Sequence, residues 1–120
     1  MRYFPKSKSN LKYQNYKIQT EEGRFDSRKE YLRWLYLKER QKDGFIKNLE
    51  RQTSFELIPS QRIDGKVVER ACHYIADFTY HDLDGNYVVE DTKSPVTRTK
   101  DYIIKRKLML QVYGIRITEV

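Results

Sequence analysis

Two stretches decide how this chain folds: Val67-Val68-Glu69-Arg70-Ala71-Cys72-His73-Tyr74-Ile75-Ala76-Asp77-Phe78-Thr79-Tyr80-His81 and Tyr87-Val88-Val89-Glu90-Asp91-Thr92-Lys93. Both are rich in Val, Ile, Tyr, Phe and Thr, the residue types that fit a pleated, half-buried surface. Asp84-Gly85-Asn86 between them is a turn signal, because glycine takes the left-handed backbone that a tight turn needs. The pair reads as a β-hairpin. Its unusual feature is charge: Asp77 lies inside the first strand, and Glu90-Asp91-Thr92-Lys93 follows Val88-Val89 in the second. A carboxylate buried alone is costly enough that it normally pairs with a cation or binds a metal.

Side chains alternate faces along a strand, so Asp91 and Lys93 share one face while Glu90 and Thr92 take the other. The turn decides whether Asp77 joins them. A three-residue loop Leu83-Asp84-Gly85 pairs Asp82 with Asn86 and sets Asp77 opposite Asp91. A two-residue loop Asp84-Gly85 sets Asp77 opposite Thr92, on the wrong face unless a bulge intervenes. The first arrangement is the one expected.

Upstream, Ser27 followed by Glu30 forms a capping box that opens a helix over 27–42, and Gly44 stops it. Tyr31, Trp34, Leu35 and the stem of Lys38 form its expected buried stripe, with Lys29, Arg33, Lys38 and Arg40 directed outward. Residues 45–59, carrying Ile46, Leu49, Phe55, Leu57 and Ile58, suit one strand, with room for an interruption. Residues 60–66 read as a loose polar linker. Downstream, Pro95 ends the second hairpin strand, Thr97 or Thr99 caps a helix over 100–113, and Gly114 stops it before a last strand over 115–120. The expected order is helix, strand, strand, strand, helix, strand, in one domain over 23–120. Residues 1–22 are polar without sustained period and read as a basic arm carrying Lys6, Lys8, Lys12 and Lys17.

A chain of 120 residues with 38% hydrophobic and 34% charged residues has the makeup of one globular domain. No segment approaches the roughly 20 apolar residues that cross a bilayer, and no apolar leader opens the sequence, so the expected compartment is the cytoplasm and no membrane is engaged. The single cysteine, Cys72, cannot close an internal disulfide or build a multi-thiolate site. The net charge of +7 favours a polyanionic partner, since Lys and Arg neutralise phosphates and release condensed counterions.

Convergent carboxylates beside an ammonium suit phosphodiester hydrolysis, because hard oxygens hold Mg2+ while leaving several of its waters in place. The metal would polarise the phosphate and lower the pKa of water, and Lys93 would position the nucleophile or steady charge in the transition state. The competing view of Asp77 and Lys93 alone is a partly buried salt bridge; the second acid, Asp91, argues against it.

Asp77, a gap of about a dozen residues, and Asp91-Thr92-Lys93 together resemble the motif of the PD-(D/E)XK nuclease superfamily: a strand Asp followed by acid-x-Lys on the next strand. Ala76 stands where that motif often has Pro. Glu30, in Phe25-Asp26-Ser27-Arg28-Lys29-Glu30, is similar in position to an acid that the superfamily carries on its first helix, and Gln52 resembles a Gln that often lines such sites. The likeness spans about residues 25–120 and is strongest to small phage-encoded proteins of unknown function and phage junction-resolving endonucleases. It implies an α/β fold with a restriction-endonuclease-like core, a central mixed four-stranded sheet flanked by helices. It implies catalytic Asp77, Asp91, Lys93, Glu30 and Gln52, with Mg2+, replaceable by Mn2+, on Asp77, Asp91, Glu30 and the backbone carbonyl of Thr92.

The capping box alone also accounts for Glu30, and Gln52 could be an ordinary polar strand residue. His73 and His81 share parity with Asp77 but lie about 13 Å away along a strand, too far for joint ligation. Glu90 is expected to face away from Asp91 in a structural pair. Lys100, Lys105, Arg106 and Lys107 on the last helix, with Lys6, Lys8 and Lys12, are the candidate phosphate contacts. The function expected is a Mg2+-dependent DNA endonuclease, a Holliday-junction resolvase acting as a two-fold homodimer on branched DNA. The alternatives are a nicking or restriction-like nuclease on linear duplex and a non-catalytic nucleic-acid-binding accessory protein.

Overall fold

A computed structural model of the protein describes residues 17–120. Along the chain run β1 (Ile18–Thr20), β2 (Gly23–Phe25), helix α1 (Arg28–Lys42), β3 (Ile46–Ile58), β4 (Gln61–Ile63), β5 (Lys66–Glu69), β6 (Cys72–Asp82), β7 (Tyr87–Asp91), helix α2 (Lys100–Tyr113) and β8 (Thr118–Glu119). One four-stranded sheet has the order β3-β6-β7-β8, antiparallel at its first two seams and parallel between β7 and β8.

The central hairpin turns as the glycine demands. Asp82 N donates to Asn86 O and Gly85 N to Asp82 O, each at 3.0 Å, with Gly85 at φ 84°. The Asp82 carboxylate accepts from the N–H groups of Asp84 and Asn86, fixing the loop from its own first residue. This is the three-residue loop. Its register pairs Phe78 with Glu90 and, one step beyond the last ladder pair, sets Asp77 opposite Asp91.

The helices begin and end on their signals. Ser27 Oγ accepts from Glu30 N at 3.1 Å to start α1, and Thr99 Oγ1 accepts from Tyr102 N at 3.1 Å to start α2. Gly114, at φ 69°, ends α2 by donating to Leu110 O. Replacing Thr99 by Ala should cost about 1 kcal/mol of stability and Thr99→Ser very little, as measured by urea unfolding. Equal losses in the two variants would mean that the cap bond is not what Thr99 contributes.

Val88 packs with Leu37, Ile46, Phe78, Tyr80, Trp34 and Leu49 beneath α1, whereas Val89 packs with Tyr74, Ala76, Tyr102, Met109 and Ile117 beneath α2. Adjacent strand residues point to opposite faces, so the two helices cover opposite sides of the sheet. On β6 the alternation breaks: Tyr74 and Ala76 serve the α2 side, Phe78 and Tyr80 the α1 side. Asp77 occupies the break. Facing it on β3, between the pairs Arg51↔Phe78 and Thr53↔Ala76, Gln52 adopts a left-handed φ of 54°, an uncommon conformation for a residue with a side chain.

Several expectations are corrected. The buried positions of α1 are Glu30 and Leu37, while Leu35 is exposed and Arg33 turns inward. Arg33 turns inward because Glu90 waits on β7 to pair with it. The polar stretch 60–66 is not a loose linker: β4 and β5 pair across Asp64-Gly65, both at positive φ. The strand expected from Val67 is therefore two, β5 and β6, separated at Arg70-Ala71. β3 runs unbroken but bulges around Asn48, at φ 59°. The last strand is shorter than 115–120. Residues 18–22, expected in the basic arm, belong instead to a hairpin of β1 and β2 whose Glu22 accepts from Trp34 Nε1 and Lys38 Nζ. Lys6, Lys8 and Lys12 lie outside the described residues.

Candidate active site

Past Phe78 and Glu90 the β6–β7 ladder stops, and the chain after β7 is held by β8 instead: Val120 N donates to Asp91 O and Lys93 N to Val120 O. The strands diverge there, and an open cleft of about 440 Å³ forms, lined by Gln52, Tyr74, Asp77, Asp91, Lys93 and Tyr102 among others.

Asp91 is a buried acid of the cleft, 4% exposed. Its Oδ2 accepts from the Tyr74 hydroxyl at 2.7 Å and lies 3.5 Å from Lys93 Nζ. Burial pushes the Asp91 carboxyl up to about 8, and the neighbouring Asp77 carboxylate adds to the rise. Asp77 is clamped by Thr92, whose N–H and hydroxyl both donate to Asp77 Oδ2. Asp91 and Lys93 line the cleft together and Thr92 does not, as strand alternation requires. Lys29 Nζ donates to the Lys93 carbonyl at 2.9 Å, linking α1 to this segment.

Glu30, on the first turn of α1, sits behind Gln52 and divides its oxygens between the helix start and that residue. Its Oε1 accepts from Asp26 N at 3.1 Å, next to the cap, while its Oε2 accepts from Gln52 Nε2 at 3.2 Å. Arg51 stands 4.0 Å away. Burial, reinforced by the charge of Asp77, pushes the Glu30 carboxyl up to about 7. Because Asp77 sits at the break in β6, it lies near Glu30 on one side of the sheet and Asp91 on the other.

Asp77, Asp91, Lys93 and Gln52 therefore line one cleft, with Glu30 bonded behind Gln52. Among the described residues, no group of three or more His, Cys, Asp and Glu side chains is arranged to hold a metal. The two aspartates still suit a divalent cation, because their oxygens are hard and the Oδ1 of each accepts no hydrogen bond from a described side chain or backbone group. Lys105 also lines the cleft, Lys100 and Lys107 are exposed, and Arg106 is tied to Glu119. His73 lines the cleft edge beside Glu56, and His81 bonds Asn48 instead. Glu90 faces α1, as expected, gripped by Arg33.

Sequence reasoning missed Tyr74 and Tyr102, which touch Asp91 and Lys93. A tyrosine at a core position carries no sign in the sequence of what its hydroxyl or ring face meets.

Comparison with protein-family models matches residues 10–118 to the family described as protein of unknown function (DUF1064). The chain belongs to that family. No curated protein and no solved structure matches this DUF1064 member. Among its described residues, no helix is long and apolar enough to cross a membrane.

The wall of the DUF1064 cleft has a pH-sensitive anchor. Glu119 accepts from the Tyr102 hydroxyl, Arg98 and Arg106, and these bonds, Tyr102 first, hold its carboxyl down to about 2. An acid depressed on folding stabilises the fold above its unfolded value near 4.5 and loses that contribution as pH falls toward 2. Between pH 5 and pH 3 the wild type should therefore lose stability relative to Glu119→Gln in urea unfolding, while the raised carboxyls of Asp91 and Glu30 act alike in both proteins. Parallel declines in the two proteins would remove Glu119 from the acid response.

Proposed function

We propose that this chain is a Mg2+-dependent endonuclease that hydrolyses phosphodiester bonds in DNA, with a restriction-endonuclease-like core. The observation that carries the proposal is the meeting of Asp77 and Asp91 on the lining of one cleft, beside the Lys93 ammonium 3.5 Å from Asp91. The order α1, β3, β6, β7, α2, β8, with β8 parallel to β7, supports the fold reading.

Asp77 and Asp91 would hold the metal, with the Thr92 carbonyl a further oxygen beside them. A bound Mg2+ supplies Lewis-acid polarisation of the phosphate and a lowered pKa for water. The chain's own groups prepare the rest. Thr92 fixes Asp77 and Tyr74 fixes Asp91, so neither carboxylate has to be ordered when substrate arrives. Lys93 places positive charge where the pentavalent phosphate accumulates negative charge. Glu30, with its carboxyl near 7, and Gln52 form a polar wall behind Asp77. Lys105 at the cleft, with Lys100 and Lys107 on the same helix, provides cations for flanking phosphates.

Within this class we propose a four-way junction as substrate, cut by a two-fold homodimer, because the described residues form the α/β core and two short hairpins, with no separate module for reading sequence among them. The test is cleavage of a labelled junction, a linear duplex and a single strand with Mg2+ or Mn2+. Paired symmetric cuts in the junction alone support a resolvase; cuts in linear duplex move the assignment to a nicking or restriction-like nuclease. A second reading, a non-catalytic nucleic-acid-binding accessory protein, is favoured by the lack of a preassembled three-ligand metal group among the described residues. It gains if no substrate is cut while DNA still binds.

A further inference from the structure

The side chain of Lys93 is a flexible four-carbon stem ending in an ammonium, and it needs more than one contact to keep a fixed direction. Among the described residues Asp91 is the one carboxylate in ion-pair contact with it, and a metal on Asp91 would draw on the charge of that same carboxylate. The second contact is aromatic: Lys93 Nζ lies 4.2 Å from the centre of the Tyr102 ring. A cation over an aromatic face at that distance is attracted by the ring quadrupole, more strongly where water is partly excluded.

The ring is itself rigid. Tyr102 is 6% exposed, packs in the core beneath α2 with Met109 and Tyr74, and donates its hydroxyl to Glu119 Oε2 at 2.6 Å. Glu119 is gripped in turn by Arg98 and Arg106 at 2.8 Å each. A core tyrosine needs a partner for its hydroxyl, but nothing about packing requires its face to be turned to a lysine of the cleft.

We propose that Tyr102 is the positioning residue of Lys93, its ring face holding the ammonium at the cleft wall independently of Asp91. The consequence for cleavage rests on the nuclease reading above; the contact itself does not.

The experiment compares the full chain with Tyr102→Phe, which keeps the face and loses the hydroxyl, and with two variants that remove the face, Tyr102→Leu and Tyr102→Met. The first readout is the NMR position of the Lys93 ε-methylene protons, which a ring face shifts upfield. The upfield position is expected in the wild type and in Tyr102→Phe, and is expected to be lost in whichever non-aromatic variant stays folded. The second readout is cleavage, where kcat should fall about 10- to 100-fold in the non-aromatic variants with KM little changed, the scale of losing a group that orients a functional one. Tyr102→Phe should recover to within a few-fold of wild type. An ε-methylene position unchanged by loss of the ring overturns the contact, and a lost shift with kcat unchanged overturns the positioning role. If the wild type cuts nothing, the nuclease reading falls, and the NMR comparison still decides whether Tyr102 holds Lys93.

Discussion

Asp91→Asn is expected to lower Mg2+-dependent cleavage by roughly a thousandfold or more, since metal-assisted charge stabilisation is worth several kcal/mol and each 1.4 kcal/mol is tenfold. The substitution is close to isosteric. The amide oxygen can still accept from the Tyr74 hydroxyl, so that bond survives while the charge that would hold a cation and pair with Lys93 is gone. In metal-free buffer the melting temperature should hold or rise, because burial and the Asp77 carboxylate both oppose ionisation of Asp91 in the fold. DNA affinity should hold or tighten, since one carboxylate fewer faces the phosphates. Loss of cleavage with stability and binding retained is the pattern of a residue kept for chemistry. Cleavage within a few-fold of wild type would remove Asp91 from the metal site and favour the accessory-protein reading.

The residues explain how much of this was legible in the sequence. Gly85, Ser27, Thr99 and Gly114 each announce a backbone state that few alternatives satisfy, so the register of the hairpin and the ends of both helices follow from them. The same logic was available at Asp64-Gly65, a dipeptide that marks a two-residue hairpin turn, but the polar run around it hid β4 and β5. Asp77, Asp91 and Lys93 were found because charge inside a strand is anomalous. Thr92 keeps the side that alternation gives it, but nothing in the sequence marks it as the residue that clamps Asp77. The left-handed turn of Gln52 has no signal in its own side chain; it arises from the break in β6 opposite. The sequence shows Glu30 at the helix start but not its second bond, to Gln52 on β3.

Glu90 and Asp91 are adjacent acids with opposite fates, and Arg33→Ala should expose the difference. Glu90 is 1% exposed, and Arg33 grips both its oxygens, at 2.9 and 2.7 Å, with the Tyr80 hydroxyl on Oε2 as well. Removing the guanidinium leaves a buried carboxylate with one neutral donor, a class of change that costs about 3–5 kcal/mol. The Arg33 side chain is 28% exposed, so water reaching the gap places the expected loss near the lower end. Adding Glu90→Gln to Arg33→Ala should recover a good part of it, because the uncompensated charge is then gone while an acceptor for Tyr80 remains. Urea unfolding of the two single variants and the double variant at pH 7 measures this directly. A loss below about 1 kcal/mol, with no recovery in the double variant, would make the pair an ordinary water-screened surface contact. Below its melting temperature Arg33→Ala should keep the cleavage that Asp91→Asn loses, because Glu90 faces α1 and Asp91 the cleft. On one strand, then, the acid facing α1 has its charge matched by Arg33 and serves the fold, and the acid facing the cleft is the one the proposed nuclease activity would assign to a metal.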